Sequence, residues 1–137
     1  MESIGAMAEG CRCDAERVIV VDAANVIGSR PNGWWRDRAG AARAFVESLR
    51  SAASTGQVEP PVIVVLEGRA LAGADEGVDR GVQVVHAAGA GDDAIATLAG
   101  AHLGATVVTA DRALAARARS VGAEIVGPSW LLGRLPG

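Results

Sequence analysis

A three-layer α/β fold built on a mostly parallel sheet is what this sequence predicts, and three observations carry it. Short β-branched runs recur along the chain: "VIVV" at 18–21, "VIVVL" at 62–66, "VQVV" at 82–85, "TVVTA" at 106–110 and "AEIV" at 123–126. Their near-continuous apolar character is that of strands buried on both faces. Helical patterns alternate with them, which predicts parallel strands joined by right-handed crossovers. The chain has 137 residues, 50% of them hydrophobic, enough for one domain with a real core.

The elements follow in order. Residues 1–16, "MESIGAMAEGCRCDAE", carry Glu2 and Glu9 and no basic residue before Arg12. They lack the apolar centre of a secretory signal and read as a flexible N-terminal tail ahead of a domain at 17–137. Cys11 and Cys13 fall in that tail, too tightly spaced for the usual zinc pattern. The first strand, 18–21, runs straight into Asp22, and Asn25 follows. Residues 37–54 place Ala39, Ala42, Val46 and Leu49 on one helical face. The connection 67–81, "EGRALAGADEGVDRG", is Gly-rich and acidic, with weak helix signals, and is expected to be a loop near the site. Residues 92–103 and 112–121 are Ala-rich and helical in spacing. A last short helix is expected near Pro128, since proline suits a first turn.

Composition narrows the function. All 13 basic residues are Arg, and the net charge is −3. That argues against a surface coated in positive potential, while leaving room for a local arginine-lined groove. No stretch reaches the ~18 apolar residues of a membrane helix. The chain is therefore expected to be soluble and cytoplasmic. Without lysine there is no G-x-x-x-x-G-K-[ST] loop, and the two histidines, His86 and His102, stand apart from any activated-serine motif.

The carboxylates carry the sharper signal. Ligands of open α/β sheets bind outside the carboxyl ends of the strands. Strand one delivers Asp22 there and strand two Glu67. The third is followed by "GAGDDA" with Asp92 and Asp93, and the fourth by Asp111 in "TADR". Each acid alone has a structural reading: Asp92 and Asp111 as helix N-caps, Asp22 as the centre of an Asx-turn. Gathered at neighbouring strand ends, they repel one another by roughly a kcal/mol or more per pair at an effective dielectric of about 20. Such a cluster calls for a cation or for raised pKa values. Oxygen donors with no Cys or His partner suit Mg²⁺ or Mn²⁺.

"GAGDDA" also matches G-x-G-x-x-A at a helix start, with Asp111 at the end of the next strand, the outline of a dinucleotide fingerprint. Asp92 and Asp93 stand where the pyrophosphate would sit, so they oppose that reading. Arg69 follows Glu67 and Arg112 follows Asp111, placed to clamp flanking phosphates or simply to pair with nearby acids. Trp34 and Trp35, in "PNGWWRD", suit either stacking on an unpaired base or covering the helix start. Ser129, in "GPSW", either caps the last helix or faces the site.

"VVDAANVIGS", "GDDAI" and "VVTADR", in this order, resemble the NYN domain, a branch of the PIN-like ribonuclease superfamily, and within it the small bacterial single-domain group. The resemblance covers roughly residues 17 to 134, with Ala23 standing where a glycine is common. It implies a PIN-like fold, with a five-stranded parallel sheet of order 3-2-1-4-5 and helices on both faces. It further implies Mg²⁺- or Mn²⁺-dependent hydrolysis of RNA phosphodiester bonds, with single-stranded RNA the expected substrate. Asp22, Asp92, Asp93 and Asp111 map onto the family's metal-holding acids and Asn25 onto their polar neighbour. Glu67 is an additional acid by position alone. Other readings are a non-catalytic RNA-binding or protein-interaction module of the same fold, and a nucleoside triphosphate pyrophosphohydrolase. The oligomeric state, a homodimer included, is left open.

Overall fold

A computed structural model of the chain describes residues 17–136. The expected tail, with Cys11 and Cys13, lies outside the described residues. The parallel strands are β1 (Ile19–Asp22), β2 (Val62–Leu66), β4 (Val82–His86), β5 (Thr106–Val108) and β6 (Glu124–Val126). A short strand β3 (Gly77–Asp79) adds an antiparallel edge beside β4. The six-stranded sheet has the order β3-β4-β2-β1-β5-β6. Without the edge strand this is the order 3-2-1-4-5 that the resemblance implies. β1 lies at the centre, paired in parallel to β2 on one side and β5 on the other.

Helices cover both faces. α1 (Ala23–Gly28), α2 (Arg38–Thr55) and α5 (Pro128–Leu132) pack on one face; α3 (Gly91–Ala101) and α4 (Arg112–Ser120) pack on the other. The two-residue period of the strands sorts the core. Val21, Val62, Val64, Val84 and Val108 face α1 and α2, while Val20, Ile63, Val65 and Val107 face α3 and α4. With few aromatic residues, the core is aliphatic. Leu49, Leu66, Ile95, Leu114 and Leu131 are fully buried, each stabilising the fold by about 1.5–3 kcal/mol through removal from water.

α2 begins where Asp37 accepts a hydrogen bond from Gly40 N–H at 2.9 Å, the usual satisfaction of a free helix N-terminus by a side-chain oxygen. Its buried face, Ala42, Phe45, Val46, Leu49, Ala52 and Ala53, follows the expected spacing. α1 was not anticipated: the six residues after Asp22 form a helix where only a turn is expected. Ala23 opens that helix, and among the described residues the only non-glycine with positive φ is Arg80. A side chain at position 23 therefore costs nothing in backbone strain.

The stretch 67–81 is more ordered than a loop. Gly68–Gly73 form a 3₁₀ helix whose Ala70 and Leu71 pack on the core. Beyond it, β3 turns into β4 through Arg80 and Gly81, at φ 51 and 79. Two positive φ angles are what a tight hairpin turn needs, and glycine or asparagine normally supplies the first. Here Arg80 does, held by an ion pair to Glu47 at 2.9 Å. An Arg-Gly turn gives no sequence signal, so the strand before it is not legible.

Gly73 sets how closely the 3₁₀ helix approaches α2. A Cβ at this position would stand 2.4 Å from the Ala39 carbonyl oxygen and 2.8 Å from Ala42 Cβ. Backbone atoms cannot step aside as a flexible side chain can. Gly73→Ala should lower unfolding free energy by about 1–3 kcal/mol, the usual cost of overpacking, read as a shifted urea midpoint with an unchanged slope.

Candidate functional site

The parallel register builds the site. Val21 pairs with Val108, which sets Asp22 beside Thr109 one residue further on. Asp22 pairs with Val65, so Glu67 stands just beyond the end of β2. The strand period keeps Asp22 on the face of Val20, Thr109 on that of Val107 and Glu67 on that of Val65, the α3–α4 side of the sheet.

Asp22 is only 8% exposed and Thr109 only 2%. The Asp22 carboxylate accepts from Thr109 Oγ1–H at 2.9 Å and from Asn25 N–H at 3.3 Å. Asp22 thus caps α1 while keeping its carboxylate at the end of the central strand. Burial, first, pushes its pKa above the ordinary carboxylate value; the hydrogen bonds from Thr109 and Asn25 oppose the rise, and the charges of Glu67 and Asp111 add to it. Glu67 and Asp111 are therefore within electrostatic reach of Asp22.

Asn25 and Thr109 tie this strand end to the next helix. The Asn25 side-chain oxygen accepts from Ala110 N–H at 2.8 Å. Thr109 Oγ1 accepts from Asp111 N–H at 3.1 Å. Asp111 Oδ1 in turn accepts from Ala113 and Leu114 N–H at 2.9 and 3.1 Å and caps α4. Glu67 Oε1 accepts from Gly91 N–H, the first residue of α3, at 3.1 Å. A Cβ on Gly91 would stand 2.8 Å from Glu67 Oε2, so the glycine makes room for the carboxylate. A negative group thereby holds the helix N-terminus that the dinucleotide reading would give to a pyrophosphate.

Asp92 and Asp93 lie in the first turn of α3. Arg117 of α4 meets Asp93 at 3.0 Å and Asp92 at 3.8 Å, all three side chains being at least 47% exposed. Such exposed pairs contribute little to stability. The structure thus sets Asn25 and Thr109 against Asp22, leaves Glu67 and Asp111 at the neighbouring strand ends, and turns Asp92 and Asp93 toward Arg117. Arg69 lies exposed in the 3₁₀ helix beyond Glu67, and Arg112 lies exposed at the start of α4. Ser129 is exposed and makes no capping hydrogen bond to α5.

Thr109 and Arg117 were not singled out from the sequence. Thr109 had a signal: a hydroxyl in "VVTADR" two residues past Val107 falls on the same face as the strand-end acid beside it. Arg117 had none, since its partners come from another helix.

Every side chain gathered around Asp22 is an oxygen donor. Among the described residues, no group of three His, Cys, Asp or Glu side chains stands close enough to share one metal ion. As placed, at most two of these carboxylates could share one ion, whose other ligands would have to be water or substrate oxygens.

The chain takes a three-layer α/β fold on a mostly parallel sheet, with carboxylates at the ends of its neighbouring central strands. No protein-family model and no curated protein matches its sequence. Among solved structures, it is similar to a variant of Rae1 (YacP) from Bacillus subtilis. The TM-score is 0.59 at 22% identity, over 85% of this chain and 72% of that one. That likeness is one of fold. No helix among the described residues is long and apolar enough to cross a membrane.

Two outcomes follow from the buried carboxylate. A carboxyl with raised folded pKa binds its proton more tightly folded than unfolded. The folded state then loses stability as pH rises from the unfolded value toward neutral. Asp22→Asn should melt a few degrees above wild type at pH 7, the gap closing as pH falls below about 4, where both states are protonated. Thr109→Val should cost about 1–3 kcal/mol in chemical unfolding, because it leaves Asp111 N–H and one Asp22 oxygen without their partner.

Proposed function

We propose that this chain is a Mg²⁺- or Mn²⁺-dependent ribonuclease, hydrolysing phosphodiester bonds of single-stranded RNA at the carboxyl ends of β2, β1 and β5. The observation that carries this reading is the buried Asp22 carboxylate with Glu67 and Asp111 in electrostatic reach. Removed from water and set among like charges, Asp22 is poorly neutralised by the protein alone. A divalent cation would offset that cost, and one bound there lowers the pKa of a water and stabilises charge on a phosphate.

Asp22 is the first choice of ligand, with Asp111 and Glu67 beside it; Asp92 and Asp93 would join by leaving Arg117. The protein's own part is positional. Asn25 and Thr109 hold Asp22 and the Ala110–Asp111 backbone in one frame. Arg69 and Arg112 stand on exposed elements next to Glu67 and Asp111, where they can meet flanking phosphates.

One observation favours a second reading, a non-catalytic RNA-binding module. The engagement of Asp92 and Asp93 by Arg117 leaves fewer carboxylates for an ion than a two-metal centre uses. Cleavage separates the two. Wild type should cut a labelled single-stranded RNA with Mn²⁺ and not with EDTA, and Asp22→Asn should lose that activity by at least about a hundredfold. Mn²⁺ should also raise the melting temperature of wild type and not of the variant. Equal cleavage by both proteins would sink the assignment.

A further inference from the structure

Between α1 and the 3₁₀ helix lies a cleft of about 270 Å³, on the side of the strand ends opposite Thr109. Its walls are Ala23, Ala24 and Ile27 of α1, Gly68 and Ala70, and the Trp34 and Arg38 side chains, with Glu67 at its edge. Ala23 follows Asp22 in the chain, so the cleft and the acid cluster share a border. We propose that this cleft takes one unpaired nucleobase of an RNA strand whose phosphate lies at the acids; this rests on the ribonuclease reading for the identity of the strand.

Shape and chemistry both select a base. The cleft falls just below the roughly 300–1,000 Å³ of drug-sized sites, which suits a single ring system. Its apolar floor is formed by alanines and an isoleucine, small or slim enough to admit a flat ring. One wall is aromatic and one cationic: the Arg38 guanidinium lies 5.3 Å from the Trp34 ring centroid. Nucleobases stack on indole and guanidinium faces alike.

The platform is also preorganised. Trp34 belongs to a 3₁₀ turn, Trp34–Arg36, closed by Arg36 N–H to Gly33 at 3.0 Å and Asp37 N–H to Trp34 at 3.2 Å. A side chain on Gly28 would meet Trp34 Cζ2 at 3.6 Å, so the ring lies close over the end of α1. Arg38 opens α2. Charge points the same way. Arg36 lies over Trp35 at 5.7 Å and Arg38 over Trp34. Among the described residues neither has a carboxylate within ion-pair distance. Their charge remains for a phosphate backbone. Trp35, 52% exposed, meets Trp34 edge-on and does not line the cleft.

Binding in EDTA isolates the cleft from cleavage. A short fluorescent single-stranded oligoribonucleotide and counterparts with one abasic ribose at each position in turn are titrated with full-length wild type, Trp34→Leu, Trp34→Phe and Trp35→Leu. At one position, base removal should weaken wild-type binding about tenfold. Trp34→Leu should bind intact RNA about tenfold more weakly and lose nothing further at that position. Trp34→Phe should keep most of the base dependence, and Trp35→Leu all of it. Unaltered binding by Trp34→Leu, an equal loss for intact and abasic RNA, or no RNA binding by wild type overturns the cleft. Base-dependent binding without Mn²⁺-dependent cleavage upholds the cleft and removes the ribonuclease reading; cleavage with base-independent binding does the reverse.

Discussion

The hydrogen bond from Thr109 to Asp22 is the constraint on which the strand ends depend. It joins two adjacent parallel strands at the point where both leave the sheet. Asp22 caps α1 from a buried position, and a buried carboxylate without donors would be costly. Thr109 supplies one donor and the Asn25 backbone supplies the other. Through its second role, as acceptor from Asp111 N–H, Thr109 also fixes where α4 begins. The Asn25 side chain closes the circuit by holding Ala110. One carboxylate, one hydroxyl and one amide thus set the relative positions of β1, α1, β5 and α4. Catalytic geometry of the kind proposed asks for placement of this rigidity.

Capping and chemistry are often treated as alternatives for a strand-end acid. Here the geometry makes them compatible. Asp22 and Asp111 both cap helices, yet both stand at neighbouring strand ends, within reach of each other's charge. A cap fixes the side-chain rotamer, and a fixed rotamer is what a ligand or base requires. Glu67 follows the same pattern, bonded to the first N–H of α3. The three acids are held by backbone amides of three different helices. Each helix N-terminus lowers the cost of keeping a negative charge there, yet burial and the neighbouring charges still leave the Asp22 pKa raised.

The sheet was legible in the sequence because its strands are buried on both faces. Runs such as "VIVVL" have no polar residue to confuse their period, and the order of parallel strands follows once the family pattern is seen. The long helices were legible from the spacing of Ala42, Val46 and Leu49 and from Asp111 as a cap. What the sequence hid has a physical cause in each case. α1 is shorter than two turns and built from residues with mixed preferences, so its stability comes from Ala23 and Val26 packing on the sheet. β3 ends in a turn where Arg80, paired with Asp79 and Glu47, takes a left-handed conformation that no local residue pattern signals. At the site, the strand ends could be listed from the sequence, whereas the direction of each side chain depended on packing between helices. Arg117, reaching from α4 to Asp93, is a contact between elements that are distant in sequence, and no local pattern announces it.

The two sides of the strand ends are chemically unlike. Toward α3 and α4 stand the carboxylates, with hydroxyl and amide donors that hold them. Toward α1 and the 3₁₀ helix stand the indole of Trp34, the guanidinium of Arg38 and a floor of alanines. A nucleotide has the same division. Its phosphate is anionic and needs a cation or arginine to approach a carboxylate; its base is flat and apolar on both faces. Glu67 lies where the two regions meet, touching the α3 N-terminus on one side and the cleft on the other. On the proposed reading, the net charge of −3 does not argue against RNA. A chain that grips one or two nucleotides through stacking and a shared cation has no need of broad positive potential, which governs long-range, salt-sensitive binding to extended duplexes.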